Sequence, residues 1–595
     1  MTFHIILSIV VGGILGHAVD AGYDGRLAQY INSPDSYAIK LFSPEMVAKG
    51  KGGWQGEHAG KWLYAASKAY ERTGDPAVLG RLTSVADYLI SRQEKDGYLG
   101  CYREDKRYYH RPGPEAMKVD WDTWIMAYLI KGFTEATVAT GDPKYADCAL
   151  RITEFLHWTV FEQGIKIAQT GQHSGMAGCG MLDPLCDLYL LRPQPVVREM
   201  IDRCISELDD TPCLQLITLA GKGYDVSLIG NGKIYEMNRC LTGMAKAYRL
   251  FGDERLLKAC SNAWESIRSN HLTTLGGPWG GINFCWELFN RPAEWAPYEC
   301  TETCSVMEWM HFTWEMLRIT GDGRYASELE KTSYNALMAA RAEDGLRWEY
   351  YVRTNGELTP RGDWACCWSS GMTALEDVPC YMYETRRNGV YVNIISESSY
   401  ETAIQGNPVL VRQTADFART GIAEFEVASR AGFVLAVHLP EWASSFNASV
   451  NGSSVKARVK NGYICVKRSW KEGDVLKIEF PYEIRTLEKA WEYRNAGKKE
   501  YNFSNWYNGF TRHYVTFCAG PLVFATDHAD SFEKQDPLFL TREEVAGATI
   551  LQGTAGQTMD PWPQLKAGAL TLRPVALMPP FEDGLQWRTI WFQIK

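Results

Sequence analysis

The chain has 595 residues, 46% of them hydrophobic and 22% charged, with a formal net charge of −9. Its length calls for two to four domains, its composition excludes a disordered chain, and the lack of a basic run excludes a nucleic-acid partner. The 21 tryptophans and 31 tyrosines offer flat, amphipathic faces that stack on sugar rings, although aromatics also fill large cores.

Residues 5–16, Ile-Ile-Leu-Ser-Ile-Val-Val-Gly-Gly-Ile-Leu-Gly, form an apolar run with no Lys or Arg before it. The run is too short to span a bilayer, so no membrane partner is expected. It reads equally as the core of a signal peptide or as a buried strand that joins the C-terminal sheets and leads into a first helix near Ala21–Ile31. Sixteen cysteines without a compact framework suit a reducing compartment, so the expectation is a cytoplasmic protein, with a periplasmic or secreted one left open. In the cytoplasm the triplets at Asn447, Asn451 and Asn502 carry no glycan.

From there to about residue 380 the chain reads as helices. Lys61–Arg72 places Leu63, Ala66, Ala69 and Tyr70 on one face and stops at Thr73-Gly74-Asp75. Similar punctuation recurs at Thr140-Gly141-Asp142, Phe251-Gly252-Asp253 and Thr320-Gly321-Asp322. Glycine accepts the left-handed conformation that ends a helix, and aspartate caps the next one. A weaker break falls at Pro193 and Pro195. Five or six long hairpins of this kind predict an (α/α)6 barrel with a central pocket; a solenoid, the alternative, uses shorter repeats.

After residue 385 the texture becomes β. Gly432–Leu439, Tyr514–Phe517, Leu522–Ala525, Ala569–Leu572 and Thr589–Ile594 are strand-like, and Asn451-Gly452 and Asn461-Gly462 are hairpin turns. The expected layout is a helical barrel over 1–384, an antiparallel β-sandwich over 385–500, and over 501–595 a second sandwich or a continuation of the first.

Near the end of the helical part stands Cys366–Cys367, with Glu302 and Cys304 some sixty residues earlier. Adjacent cysteines rarely bond to each other, because the intervening peptide strains the disulfide. Three thiolates and a carboxylate suit zinc before any other ion. The plain alternative is a chance neighbourhood of buried thiols.

Taken together, several segments resemble the glycoside hydrolases of the β-L-arabinofuranosidase type. These are Gly-Glu-His-Ala-Gly-Lys-Trp at 56–62, Glu302-Thr303-Cys304, the helix end at Thr320-Gly321-Asp322, Glu330–Leu337 with Tyr334-Asn335, the Cys366–Cys367 pair, His438-Leu439-Pro440-Glu441-Trp442-Ala443, and Gly520-Pro521-Leu522-Val523. The resemblance runs over nearly the whole chain. It implies an (α/α)6 barrel followed by β-sandwiches and a retaining, exo-acting hydrolase of a glycan or oligosaccharide. It implies zinc (Zn2+) on Glu302, Cys304, Cys366 and Cys367, with Cys366 as the nucleophile that forms a thioglycosyl-enzyme.

The resemblance places the acid/base that a retaining enzyme needs close to Glu287, with Glu294 and Glu299 as competitors. Phe284, Trp286, Leu288 and Phe289 surround Glu287 in sequence and predict an apolar setting that raises its pKa. Glu57 and His58, at a helix start after Trp54, are candidate sugar contacts. Tyr351 matches a family tyrosine that touches the sugar.

The chain also departs from its relatives. Trp368-Ser369-Ser370-Gly371 follows the cysteine pair where such proteins commonly have Pro-Pro-Asn, and Tyr128, Gly178 or Cys179, and Cys240 stand where they place pocket histidines. The catalytic set is kept while the sugar-reading shell is changed, so an arabinofuranoside is the default substrate and another deoxy or acidic pentose the variant. A polysaccharide lyase and a non-catalytic carbohydrate-binding protein with structural zinc are the rival readings. A homodimer is compatible with all of these.

Overall fold

The computed structural model describes residues 9–110, 121–280, 287–292, 294–358, 365–414, 417–493, 510–527, 538–551, 562–578, 580 and 587–595. Phe284, Trp286 and Asn502 therefore lie outside the described residues.

Six inner helices form a closed ring, each packed on the next. With α1 at Gly13–Gly22, they are α2 (Glu57–Thr73), α4 (Asp122–Thr140), α6 (Leu182–Leu191), α8 (Ile234–Phe251), α10 (Thr303–Thr320) and α12 (Cys366–Met382). The last, α12, returns to pack on α2. The outer helices are α3 (Pro76–Ile90), α5 (Pro143–His157), α7 (Pro195–Asp210), α9 (Glu254–Asn270) and α11 (Gly323–Thr332), with α1 lying against α12. This is the (α/α)6 barrel.

Composition separates the two rings. Helices α4 and α10 are buried on nearly every face. The outer α9 instead carries a single apolar stripe, Leu256, Ala259, Cys260, Ala263, Trp264 and Ile267. Closure of the ring depends on close backbone approach. A Cβ on Gly60 in α2 would lie 2.2 Å from the carbonyl oxygen of Tyr128 in α4.

The hairpin punctuation behaves as its chemistry dictates. Gly74, Gly141, Gly252 and Gly321 are left-handed C-caps. Asp75, Asp142, Asp253 and Asp322 each accept a backbone N–H of the following helix. Pro195 opens α7 at its first turn. The first helix begins earlier than expected, at Gly13, and a π-turn carries it from Tyr23 to Leu27. The run before it contributes β1 (Ile9–Val11), which pairs antiparallel with Ser398–Tyr400.

From Tyr383 onward the described chain is mainly β. One seven-stranded sheet includes β1 and the strands Ser398–Ile404, Asn407–Gln413, Ile422–Ala428 and Asp474–Glu479; a five-stranded sheet includes Gly432–His438 and Tyr463–Ser469. Asn451-Gly452 and Asn461-Gly462 are the left-handed turns of two hairpins. A third, eight-stranded sheet is built around Ile484–Tyr493 and Phe510–Ala519.

Two of the segments singled out by sequence meet where barrel and sheets join. Asn335 Nδ2 donates to the Pro521 carbonyl at 2.9 Å, and its Oδ1 accepts from Val523 N at 2.9 Å. Farther along, Arg588 is fully buried and donates to the Ala339 carbonyl at 2.9 Å and the Arg353 carbonyl at 3.3 Å. Its guanidinium pairs with Glu349 at 3.3 Å. Asn355 Oδ1 accepts from Ile590 N and Trp591 N. The C-terminal strands thus brace residues 349–355.

Candidate active site

Two helix starts bring the cysteines together. Glu302 is the N-cap of α10 and ends a strand, β2 (Cys300–Glu302), that pairs with β3 (Tyr351–Arg353). Cys304 lies in the first turn of α10, and Cys366 and Cys367 open α12. Both helix dipoles point positive ends at the sulfurs, which favours thiolates.

The four candidate ligand atoms lie within 4.8 Å of one another. Cys304 Sγ is 3.4 Å from Cys367 Sγ, and Cys366 Sγ is 4.0 Å from Cys367 Sγ and from Glu302 Oε1. Ligand atoms of a tetrahedral zinc site with Zn–S near 2.3 Å stand roughly 3.8 Å apart. Donor set and spacing both fit that ion. Ser370 Oγ donates to Cys304 Sγ at 3.2 Å, a second contact that fixes the thiol.

The three cysteines differ. Cys304 and Cys367 are buried, whereas Cys366 is partly exposed. Hydrogen bonds from the Cys304 and Cys367 thiols hold the Cys366 thiol well below the ordinary range despite burial, with Lys61 and the Tyr350 hydroxyl adding to the effect. Burial pushes Cys304 and Cys367 up. Burial also pushes the Glu302 carboxyl well up.

Glu287 is beside this cluster because residues 287–289 run antiparallel to 232–234. Ile234 N donates to the Glu287 carbonyl at 3.0 Å, and Phe289 N to the Gly232 carbonyl at 2.9 Å. The Glu287 carboxylate accepts from Tyr351 Oη at 2.6 Å and Tyr350 Oη at 3.2 Å. Tyr350 Oη is also 3.5 Å from Cys366 Sγ, so one phenol touches both groups.

The setting of Glu287 departs from the apolar one expected. Burial alone raises its pKa, but the Lys233 ammonium at 3.3 Å and the Tyr351 hydroxyl outweigh it, and the net shift is downward. Lys233 also reaches Glu236 at 3.0 Å and Glu302 at 3.4 Å. Among the described residues neither Glu294 nor Glu299 contacts the cluster. Glu299 is fully buried and accepts from Thr274 N, Trp295 Nε1 and Trp591 Nε1.

The other candidates, Glu57 and His58, stand on α2. Glu57 is buried, accepts from Lys61 Nζ at 2.9 Å and from Trp124 Nε1, and burial raises its pKa. Lys61 donates also to Ser370 Oγ at 2.9 Å. His58 Nδ1 lies 2.8 Å from Ser369 Oγ. The serines after the cysteine pair therefore tie Lys61 and His58 to the thiol cluster. Tyr128 and Tyr235 join hydroxyl to hydroxyl beside Lys61.

Sequence reasoning missed Lys233 and the bridging role of Tyr350. A lone lysine at a helix start and the first tyrosine of a Tyr-Tyr pair carry no local signal of such contacts. Among the described helices none is long and apolar enough to cross a membrane.

Two family models match the chain. The β-L-arabinofuranosidase GH127 catalytic domain covers residues 29–379, more than half of the chain, and the GH127 middle domain covers 389–482. A non-reducing end β-L-arabinofuranosidase from Bifidobacterium longum subsp. longum is 22% identical over 523 residues, 79% of this chain and 75% of that protein. Among solved structures, a GH127 β-L-arabinofuranosidase from Geobacillus stearothermophilus T6 superposes with a TM-score of 0.75 at 19% identity, covering 99% of this chain and 100% of that one. A second GH127 β-arabinofuranosidase superposes at 0.77 and 19% identity, covering 99% of this chain and 97% of that one.

Proposed function

The chain belongs to the β-L-arabinofuranosidase family GH127 and is a glycoside hydrolase, and we propose that it releases β-L-arabinofuranose from non-reducing ends by way of a thioglycosyl bond to Cys366. The observation that carries this reading is the shared phenol. Tyr350 Oη touches both Cys366 Sγ and Glu287, and Cys366 is the one cysteine of the cluster that is partly exposed.

In the first step the Cys366 thiolate attacks the anomeric carbon. A C–S bond forms, the C–O bond breaks, and Glu287 gives its proton to the departing oxygen. In the second step Glu287 takes a proton from water, the water oxygen bonds to the anomeric carbon, and Sγ leaves as a thiolate. Two displacements retain the configuration. A zinc ion held by Glu302, Cys304, Cys366 and Cys367 would keep the thiols ionised at neutral pH. Tyr350 orients both reacting groups, while Glu57, His58 and Tyr351 belong to the surrounding sugar-binding wall. A pocket closed at its base by a helical ring suits a chain end rather than a mid-chain site.

The deciding experiment compares wild type, Cys366→Ser and Glu287→Gln on an aryl β-L-arabinofuranoside, with zinc measured in each protein. Activity should fall by about 10²–10⁴-fold in Glu287→Gln and to background in Cys366→Ser. A Cys366→Ser protein that keeps its activity overturns the thioglycosyl mechanism.

A further inference from the structure

We propose that Trp121 and His173 form the subsite for the leaving group, a shelf on which the sugar next to the scissile bond rests; the inference builds on the thioglycosyl reading above.

Two chains of contacts join this pair to Cys366, Glu287 and the cysteine cluster. Along one wall the chain of contacts runs from Cys366 through Tyr350 and Glu287 to Lys233, whose partner Glu236 lies 3.7 Å from His173 Nε2. Along the other, Cys304 touches Ser370, Ser370 touches Lys61, and Lys61 pairs with Glu57, on which Trp124 donates. Trp124 packs on Trp121, with ring centroids 5.8 Å apart, and Trp121 packs on His173 at 6.0 Å. Both walls end at the same two side chains. Both side chains are partly exposed, His173 by 22%.

Displacement at the anomeric carbon is in line, so the departing oxygen leaves on the side away from Cys366. Glu287, which gives that oxygen its proton, is joined to His173 through Lys233 and Glu236. Their chemistry suits a sugar: an indole offers a face for C–H stacking, and an imidazole offers a directed hydrogen bond. Asn231 Nδ2 lies 3.2 Å from His173 Nδ1 and donates to it, which leaves the proton on Nε2. The 3.7 Å from Nε2 to Glu236 is longer than a hydrogen bond, so this N–H can serve a hydroxyl.

The backbone supports a positioning role. His173, Ser174 and Gly175 are consecutively left-handed, at φ 57°, 59° and 89°. Two non-glycine residues in that region are strained, and such strain gathers where a side chain must be aimed. Gly175 sits tight against Ala168, where an added Cβ would come within 2.7 Å.

The test measures kcat/KM, which reports the first displacement, for wild type, Trp121→Ala and His173→Ala on two substrates. One is an arabinofuranosyl disaccharide; the other is methyl β-L-arabinofuranoside, whose leaving group is too small to reach the shelf. Each variant should lose about ten- to hundredfold on the disaccharide and stay within about twofold on the methyl glycoside. The unchanged methyl reaction also certifies the fold. Equal losses on both substrates, or none on either, overturn the shelf. Should Trp121→Ala fail to fold, Trp121→Phe and inhibition by the free leaving sugar replace it: that sugar should inhibit wild type and not His173→Ala, and equal inhibition overturns the proposal. A wild type inactive on both substrates sinks the glycosidase reading, and the shelf falls with it.

Discussion

Lys233 Nζ stands 3.3 Å from Glu287 and 3.4 Å from Glu302, so one buried ammonium links the proposed acid/base to the carboxylate of the candidate metal cluster. The cation favours the charged form of Glu287, while the first displacement needs the protonated form. With the cation gone, Glu287 gives up its proton at higher pH. In Lys233→Met the alkaline limb of the kcat/KM profile should therefore move up by about one pH unit, while Lys233→Arg should leave it near the wild-type position. A limb that stays in place in Lys233→Met shows that Lys233 does not tune Glu287.

Ser370 holds Cys304 at 3.2 Å and accepts from Lys61 at 2.9 Å. Partners of this kind fix a ligand's orientation, and their removal costs about 10–100-fold in metal affinity. Ser370→Ala should show that loss in a competition titration with a zinc chelator. Removal of the metal with a strong chelator should abolish activity, and zinc should restore it.

Gly60 lets α2 approach α4 within backbone contact. Gly60→Ala forces an extra carbon against the Tyr128 carbonyl and should destabilise the protein by about 1–3 kcal/mol. It should also weaken substrate binding, because α2 carries Glu57 and His58. Denaturant unfolding and KM together check this.

His311 is buried between Glu308 at 3.4 Å and Asp377 at 2.7 Å, with Lys131 nearby. Burial and Lys131 lower its pKa, the two carboxylates raise it further, and the net shift is upward. A folded pKa above the unfolded one adds stability that is complete below about 6.5 and is lost as pH rises through the folded value. Between about pH 6 and about pH 9 the wild type should lose more thermal stability than His311→Gln. Parallel melting curves for the two proteins would refute the charged His311.

Arg588 neutralises Glu349 and ties residues 339 and 353 to the C-terminal strand. Arg588→Met leaves a buried carboxylate without its cation, which costs about 3–5 kcal/mol. Burial already raises Glu349 to about 7. The variant should unfold earlier in denaturant and lose activity, because Tyr350 and Tyr351 follow Glu349 directly.

The barrel was legible because its signals are local. Gly74, Gly141, Gly252 and Gly321 each end a helix by a conformation that glycine adopts freely, and the aspartate after each one caps the next helix by a single hydrogen bond. The Asn-Gly turns are equally self-contained. The cysteine cluster was legible chiefly through the family resemblance, since Glu302, Cys304, Cys366 and Cys367 on their own read equally as a chance neighbourhood of buried thiols.

Only the tertiary structure decided how the rest of the site works. Glu287 meets Lys233 because two extended segments pair their backbones, and no property of either residue announces the pairing. Tyr350 touches Cys366 and Glu287 because β3 lies beside β2 at the start of α10. His173 meets Trp121 and Glu236 from a left-handed loop. Capping and turn chemistry act over a few residues and are written in the residue types. The charge state of Glu287, and the side of the sugar that each residue meets, depend on distances between segments that only packing sets.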